Sequence, residues 1–370
     1  MKLIVIKDNL KEAVGAAAGM KVQDQNLPIL HNFLLTAKGG KIILRATNLE
    51  LGIEFSIAGK VIEDGSITIP TAVFHTIINS LQSDRLNIEI KGSQTTVKTD
   101  NYEAVIQGLP PDDFPIIPEI KEVKGKIEIK GSVLKEAFQQ VSFASQFSDL
   151  RPELYNLLFH FSGGEIQMAA TDSFRLAEKT LPGSLFKTES DEGYKLLIPL
   201  PTIQEILPLL DDESVTITYD EHQILFSSKV WKVISRLHTG TFPHYEPIIP
   251  KEFKMEVVVG KAELQEALKL STVFSGQLQE VTLKISDGQK SLEVFSQNQA
   301  VGENVYQLGA KINKPLSFSS IFNARYLGDA LKAVNSEEIF FGFNEEGKPA
   351  LIRSPRDTSY FYILMPVLKG

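Results

Sequence analysis

The chain has 370 residues with 43% hydrophobic and 23% charged content, which is enough for two to three domains with sizeable cores. It contains no cysteine, which excludes disulfides and thiolate metal sites and suits a reducing cytoplasm; no apolar run reads as a membrane span, and the apolar stretch in MKLIVIKDNL is too short for a signal peptide. The net charge of −8 argues against a tight nucleic-acid binder, but it is uneven (−2 over residues 1–121, −6 over 122–250, 0 over 251–370), and a sum does not reveal a basic face.

In chain order, a short apolar strand, KLIVI (2–6), precedes KDNLKEAVGAAAG. The same sentence returns as KIEI (126–129) with KGSVLKEAFQQVSFAS, and as MEVVV (255–259) with GKAELQEALKLSTVFSG. Apolar residues then recur at helical spacing: Leu10, Ala13, Val14 and Ala17; Leu134, Ala137, Phe138 and Val141; Leu264, Ala267 and Leu268. Asp8 and Ser132 stand where a side chain would cap these helices. A strand–turn–strand follows, FLLTAKGGKIILRAT (33–47), LLFHFSGGEIQMAAT (157–171) and VTLKISDGQKSLEVF (281–295). Its turn glycines, Gly40, Gly164 and Gly288, fall 124 residues apart and supply the positive φ that tight hairpins need. A second helix ends at Leu81, Leu210 and Val334, with Pro70 and Pro199 near two of the starts. The first two units close on DFPIIP (113–118) and HYEPIIP (244–250).

The chain therefore reads as one unit of about 120 residues written three times, each an α+β domain of two helices on antiparallel sheets. Boundaries are expected in the polar, proline-marked stretches EIKEVKG and PKEFK, giving domains 1–121, 122–250 and 251–370.

The phrases NLPIL (26–30), ATNLE (46–50), ATDSFRLA (170–177), TFPHYEPIIP (241–250) and ILMPVLKG (363–370) fall in the order of one family, and the chain resembles the bacterial DNA sliding clamp, the beta subunit of DNA polymerase III, over its whole length. The resemblance implies a ring of two three-domain chains joined head to tail, with helices lining the hole and duplex DNA threaded through it. It implies a processivity factor without catalysis, cofactor or membrane partner. Partners would be the replicative polymerase, a clamp loader and other clients carrying a Gln-Leu-x-Leu-Phe-like motif. An acidic exterior with a modestly basic lining would let DNA slide.

Three sites follow from the resemblance. A client-peptide groove would comprise Leu154, Thr171, Ser173, Phe174, Arg175 and Leu176, a wall of Pro243, Pro247 and Ile248, and Pro349, Ile363, Leu364, Met365, Pro366 and Val367. The family commonly has Gly-His where this chain has Ser173-Phe174, so its peptide preference is expected to differ. DNA-facing cations would be Lys7, Lys11, Lys21, Lys135, Arg151, Lys261, Lys269, Arg325 and Lys332. The second helix of the middle unit has no basic residue, and Asp24 stands where the family often has one. The ring seam would join Ala104, Val105, Ile106 and Leu109 of one chain to Val273 and Phe274 of the next.

Taken without the resemblance, the residues leave two other classes open. Ser132-Val-Leu-Lys135 matches the Ser-x-x-Lys of some acyl-transfer enzymes, although a capped helix with a surface lysine explains it as well. There is no G-x-S-x-G, no phosphate loop, and the six histidines are scattered singly. Periodicity alone also admits a β-rich scaffold unrelated to DNA.

Overall fold

The structure is a computed structural model that describes residues 1–22, 24, 26–189, 193–286, 290–314 and 317–368. In the first repeat the order is β1 (Lys2–Ile6), α1 (Lys7–Gly19), β2 (Asn32–Lys38), β3 (Lys41–Thr47), β4 (Leu51–Ile57), β5 (Gly59–Glu63), β6 (Gly65–Pro70), α2 (Thr71–Ser80), β7 (Arg85–Lys91), β8 (Gln94–Lys98) and β9 (Glu103–Gln107). The second runs β10 (Gly125–Lys130), α3 (Gly131–Val141), β11 (Asn156–Ser162), β12 (Glu165–Thr171), β13 (Arg175–Pro182), β14 (Phe186–Thr188), β15 (Tyr194–Pro199), α4 (Leu200–Ile206), β16 (Ser214–Tyr219), β17 (Gln223–Ser227) and β18 (Trp231–Arg236). The third runs β19 (Met255–Gly260), α5 (Lys261–Thr272), β20 (Glu280–Ile285), β21 (Ser291–Asn298), β22 (Gly302–Asn313), β23 (Phe318–Asn323), α6 (Ala324–Ala333), β24 (Glu338–Phe343), β25 (Ala350–Arg353) and β26 (Tyr360–Leu364). The α+β repeat expected from the sequence is present.

Three sheets result, ordered β5-β1-β7-β8-β9, β14-β10-β16-β17-β18-β4-β3-β2-β6, and β15-β11-β12-β13-β26-β25-β24-β19-β22-β21-β20-β23. The chain divides into two compact units that do not coincide with the repeats. The first holds residues 1–132, 186–189 and 201–237; the second holds 133–185, 193–200 and the chain from 238 on, so the middle repeat contributes to both. In the first unit β18 pairs with β4, and in the second β26 pairs with β13.

The register repeats residue for residue. Leu3 lies beside Ile88, Ile88 beside Val97, and Val97 beside Ala104. The counterparts are Ile127, Ile217, Phe226 and Val233, then Val257, Phe341, Ile352 and Tyr362. Apart from Ala104, every member of these ladders is fully buried, because alternate strand residues share one face and these face the core. Each such aliphatic side chain contributes about 1.5–3 kcal/mol on burial.

Two local expectations are corrected. Asp8 and Ser132 are not caps. The helices begin one residue earlier, at Lys7 and Gly131, directly from the preceding strand. Their first N–H groups are satisfied by backbone instead: Lys7, Gly131 and Lys261 donate to the carbonyls of Asp84, Glu213 and Glu337, each at 2.8 Å. The same carbonyl position, just before β7, β16 and β24, serves all three, so no side-chain cap is required. The second helix of the middle repeat also ends early. Pro208 cannot donate to the helical ladder, so α4 stops at Ile206 and tightens into a 3-10 turn over Leu207–Leu209. Gly39-Gly40 and Gly163-Gly164 carry the expected positive φ (57° and 80°; 62° and 81°). Gly288 lies outside the described residues.

Candidate functional site

In the second unit a shallow cleft of about 450 Å³ opens on one sheet. Pro247, Ile248, Ile249 and Pro250 form one wall, and Pro349 and Met365 face them, with Lys254, Asn344, Glu345 and Lys348 at the rim. Prolines fix both walls, so the cleft is largely preformed. Of the expected groove residues, Pro247, Ile248, Pro349 and Met365 line it. Leu176 and Ile363, opposite one another on β13 and β26, do not line it but belong to a buried core with Leu158, Phe242, Tyr245, Phe340 and Leu351, against which Ile249 packs. Leu154, Leu364 and Pro366 are buried, and Pro243 and Val367 are half-buried.

The turn before β13 is built by side chain to backbone bonds. The Thr171 hydroxyl donates to the Arg175 carbonyl at 2.6 Å, and the Phe174 and Arg175 N–H groups donate to Asp172 Oδ1 at 2.9 and 3.0 Å. Ser173 is thereby held at φ 78°, where an L-residue is strained by about 1–2 kcal/mol and glycine is not. The first repeat makes the same turn from Thr47, Asn48 and Leu49 (φ 76°), 124 residues earlier. Phe174, 63% exposed, is presented beside the cleft, and the Met365 N–H donates to its carbonyl at 2.9 Å.

Arg175 does not line this cleft. Alternation on β13 sends it to the face opposite Leu176. There it is buried, bonded through Nε to Asp172 (2.9 Å) and through Nη1 to Asp329 on α6 (2.8 Å), with Tyr326 stacked 4.1 Å from its guanidinium carbon. The planar fork meets two carboxylates and one ring at once, which lysine cannot do.

From that core Tyr245 donates to Glu178 at 2.5 Å. Burial pushes the Glu178 carboxyl up; the Tyr245 bond opposes this and nearby Glu246 adds to it.

The nine expected DNA-facing cations fall into groups. Lys7 and Lys261 are half-buried and donate to the carbonyls of Leu81 (2.9 Å) and Val334 (2.7 Å), the C-cap residues of α2 and α6. Each locks the two helices of its repeat together. Arg151 pairs with Glu153 and donates to Ser173 Oγ at 2.8 Å, and Lys332 pairs with Asp329 at 3.3 Å. Lys11, Lys21, Lys269 and Arg325 are exposed, and Lys135 is half-buried. The six helices together carry seven basic and seven acidic residues, so the acidic excess lies elsewhere.

Of the expected seam residues, Val105 (57%), Leu109 (37%) and Val273 (64%) are exposed; Ala104 and Phe274 are half-buried and Ile106 is buried.

Three family profiles match the chain in succession: DNA polymerase III beta subunit N-terminal domain at residues 1–118, central domain at 128–244 and C-terminal domain at 246–368. The chain belongs to the DNA polymerase III beta subunit family. It is 27% identical to the beta sliding clamp of Bacillus subtilis over 99% of both chains, and 26% identical to that of Staphylococcus epidermidis over 92% of both. The solved structure of the Bacillus subtilis DNA polymerase sliding clamp superposes with a TM-score of 0.92 at 27% identity over 100% of both chains. That of the Pseudomonas aeruginosa DNA polymerase sliding clamp with ligand gives 0.91 at 26%, again over 100% of both chains.

As a sliding clamp the chain is a non-catalytic subunit of the replicative polymerase, working in DNA replication. Ser132, the one residue suggestive of acyl transfer, sits inside the first turn of α3 beside Asp212. No helix is long and apolar enough to cross a membrane, and no metal-ligating cluster occurs among the described residues. Sequence reasoning missed the Arg175–Asp329 pair, whose members are 154 residues apart with no local signal. It also missed the open edge of β22, where residues 302–309 pair with β21 and only 310–313 reach β19.

Proposed function

We propose that two copies of the chain close head to tail into a ring around duplex DNA, with residues 1–121, 122–250 and 251–370 as its domains. One observation carries this: among the described residues, the edge of β9 and the edge of β22 over residues 302–309 are open and match each other by the chain's own register. β18 joins β4 by placing Val233 opposite Ile53, and β26 joins β13 by placing Tyr362 opposite Ala177. The equivalent of Val233 and Tyr362 in the first repeat is Ala104, on β9, an end strand of its sheet. On the other side the ladders Thr68–Leu34–Arg45–Glu54 and Leu197–Leu158–Ala169–Glu178 match Ile321–Thr282–Phe295–Val305. The equivalent of Ile53 and Ala177 is therefore Asn304, on the open part of β22. One chain's β9 fits its partner's β22 by the rule already used twice within the chain, with Ala104 opposite Asn304 and Val105 opposite Glu303. A second copy consumes both edges.

Clients dock an extended, apolar peptide in the cleft between Pro247-Ile248 and Met365. The replicative polymerase and a clamp loader share it, and loading energy comes from the loader, in the cytoplasm. The deciding experiment is retention on DNA: wild type is held on nicked circular duplex and lost from linear duplex. Equal loss from both would sink the ring. A labelled Gln-Leu-x-Leu-Phe peptide should bind near micromolar, about 8 kcal/mol, and weaken at least about tenfold on Ile248→Asp with Met365→Ala, which leave the buried core intact.

A further inference from the structure

The first unit holds a cleft of about 700 Å³, between the nine-stranded sheet and the segment that follows β9. Leu34, Leu225 and Ile234 line it from the sheet, and Ile117 and Ile120 from the segment. The register identifies the place it corresponds to in the second unit, and there the volume is filled. Where the second unit has Leu176 on β13, the first has Gly52, over which Ile117 is packed so closely that a Cβ would lie 2.7 Å from its Cγ2. Where the second has Ala169, the first has Arg45. Where the second has Phe361 opposite Glu178, the first has Lys232 opposite Glu54. In the second unit Phe242, Tyr245 and Phe253 complete the core, and the Tyr245 hydroxyl reaches Glu178. In the first, Phe114 is drawn instead into a cluster with Ile29 and Leu30, and Ile116 is 94% exposed at the mouth.

We propose that this cleft is a second client-docking site, taking an extended segment that inserts an aromatic side chain and sets an adjacent carboxylate against Arg45 and Lys232. The aromatic part follows from what fills the counterpart, where the chain's own strap supplies Tyr245 followed by Glu246. The carboxylate follows from the sheet's charge there. One carboxylate, Glu54, serves two cations: Arg45 Nε and Nη2 at 2.8 and 2.7 Å on Oε2, and Lys232 Nζ at 3.1 Å on Oε1. Lys232 is 57% exposed, with donors to spare, and Glu119 stands on the strap at the mouth. Exposed Ile116 and Val123 give the mouth an apolar rim, the surface that marks docking sites.

The probe is a fluorescein-labelled peptide copying residues 241–250, followed by anisotropy on the full-length protein. Saturable binding is expected. Lys232→Phe, which installs the counterpart's residue, and Ile116→Asp, at a position too exposed to affect folding, should each weaken it at least about tenfold. Ile248→Asp with Met365→Ala should leave it within about twofold while abolishing Gln-Leu-x-Leu-Phe binding. Urea unfolding with the wild-type transition certifies the fold of Lys232→Phe, and its retained binding of the second probe keeps failure here distinct from failure of the first groove. No saturation up to about 1 mM, loss only in the groove variant, or indifference to Lys232→Phe and Ile116→Asp would each overturn the proposal.

Discussion

Replacing Val105 and Glu303 by cysteine tests the proposed seam at the resolution of one residue. The chain has no cysteine of its own, so the introduced pair provides the only thiols. Directly opposed residues on an antiparallel pair hold their Cβ atoms about 4.5–5.5 Å apart, and diagonal ones about 7–8 Å. A disulfide needs about 3.5–4.5 Å, reached by small shifts in the first case and not in the second. Both positions are exposed in the free chain, so neither change empties a core. Mild oxidation followed by non-reducing electrophoresis should double the 41.1 kDa mass in high yield. Val105→Cys with Val305→Cys, slipped by two residues, should cross-link poorly, and Val105→Cys alone should not cross-link. Efficient linkage of the single variant would mean that two β9 strands meet edge to edge. Equal yields for both pairs would mean that the internal register does not carry across the seam.

Arg175→Met leaves Asp172 and Asp329 facing each other without their shared cation, and should cost about 3–5 kcal/mol by urea unfolding; a loss under about 1 kcal/mol would show that water replaces the guanidinium. Glu178 titrates above the ordinary carboxylate range in the folded chain, so folding retains its proton. That contribution is complete below the unfolded value near 4.3 and is lost as pH rises through the higher folded value. Glu178→Gln should therefore gain stability relative to wild type across that window, with Glu12 and Glu205, whose carboxyls are also raised, cancelling from the difference; a gap that is constant between pH 4 and 8 would refute the assignment. Lys11→Ala and Lys269→Ala should each lower the salt slope of DNA binding by at most about 1. Lys7→Met should leave the slope unchanged and cost about 1 kcal/mol of stability, through its lost bond to the Leu81 carbonyl.

The repeat was legible because it is written in features that act locally. Helical spacing, a Gly-Gly turn and an alternating strand each declare themselves within about ten residues, and their recurrence fixed the α+β unit. The helix caps were misjudged for the opposite reason. The groups that satisfy Lys7, Gly131 and Lys261 are carbonyls 77, 82 and 76 residues away along the chain. A family phrase names consecutive positions, whereas the pleat sends them to opposite faces: Leu176 joins the buried core and its neighbour Arg175 pairs with Asp172 and Asp329.

In the proposed ring the helices would also reconcile an acidic chain with a DNA partner. Phosphate contacts that bind tightly also hold a protein in place, since each neutralised phosphate steepens the dependence of affinity on salt. Along the helices acidic and basic side chains balance, two of the lysines are spent on helix C-termini, and the second helices of the first two repeats add no Lys or Arg. Helices so charged would neither repel a duplex strongly nor grip it. In a closed ring, retention is a matter of topology and affinity is free to be low. In the proposed ring a strongly basic lining would act as a brake on sliding, and the modest charge of these helices fits the low affinity that topological retention allows.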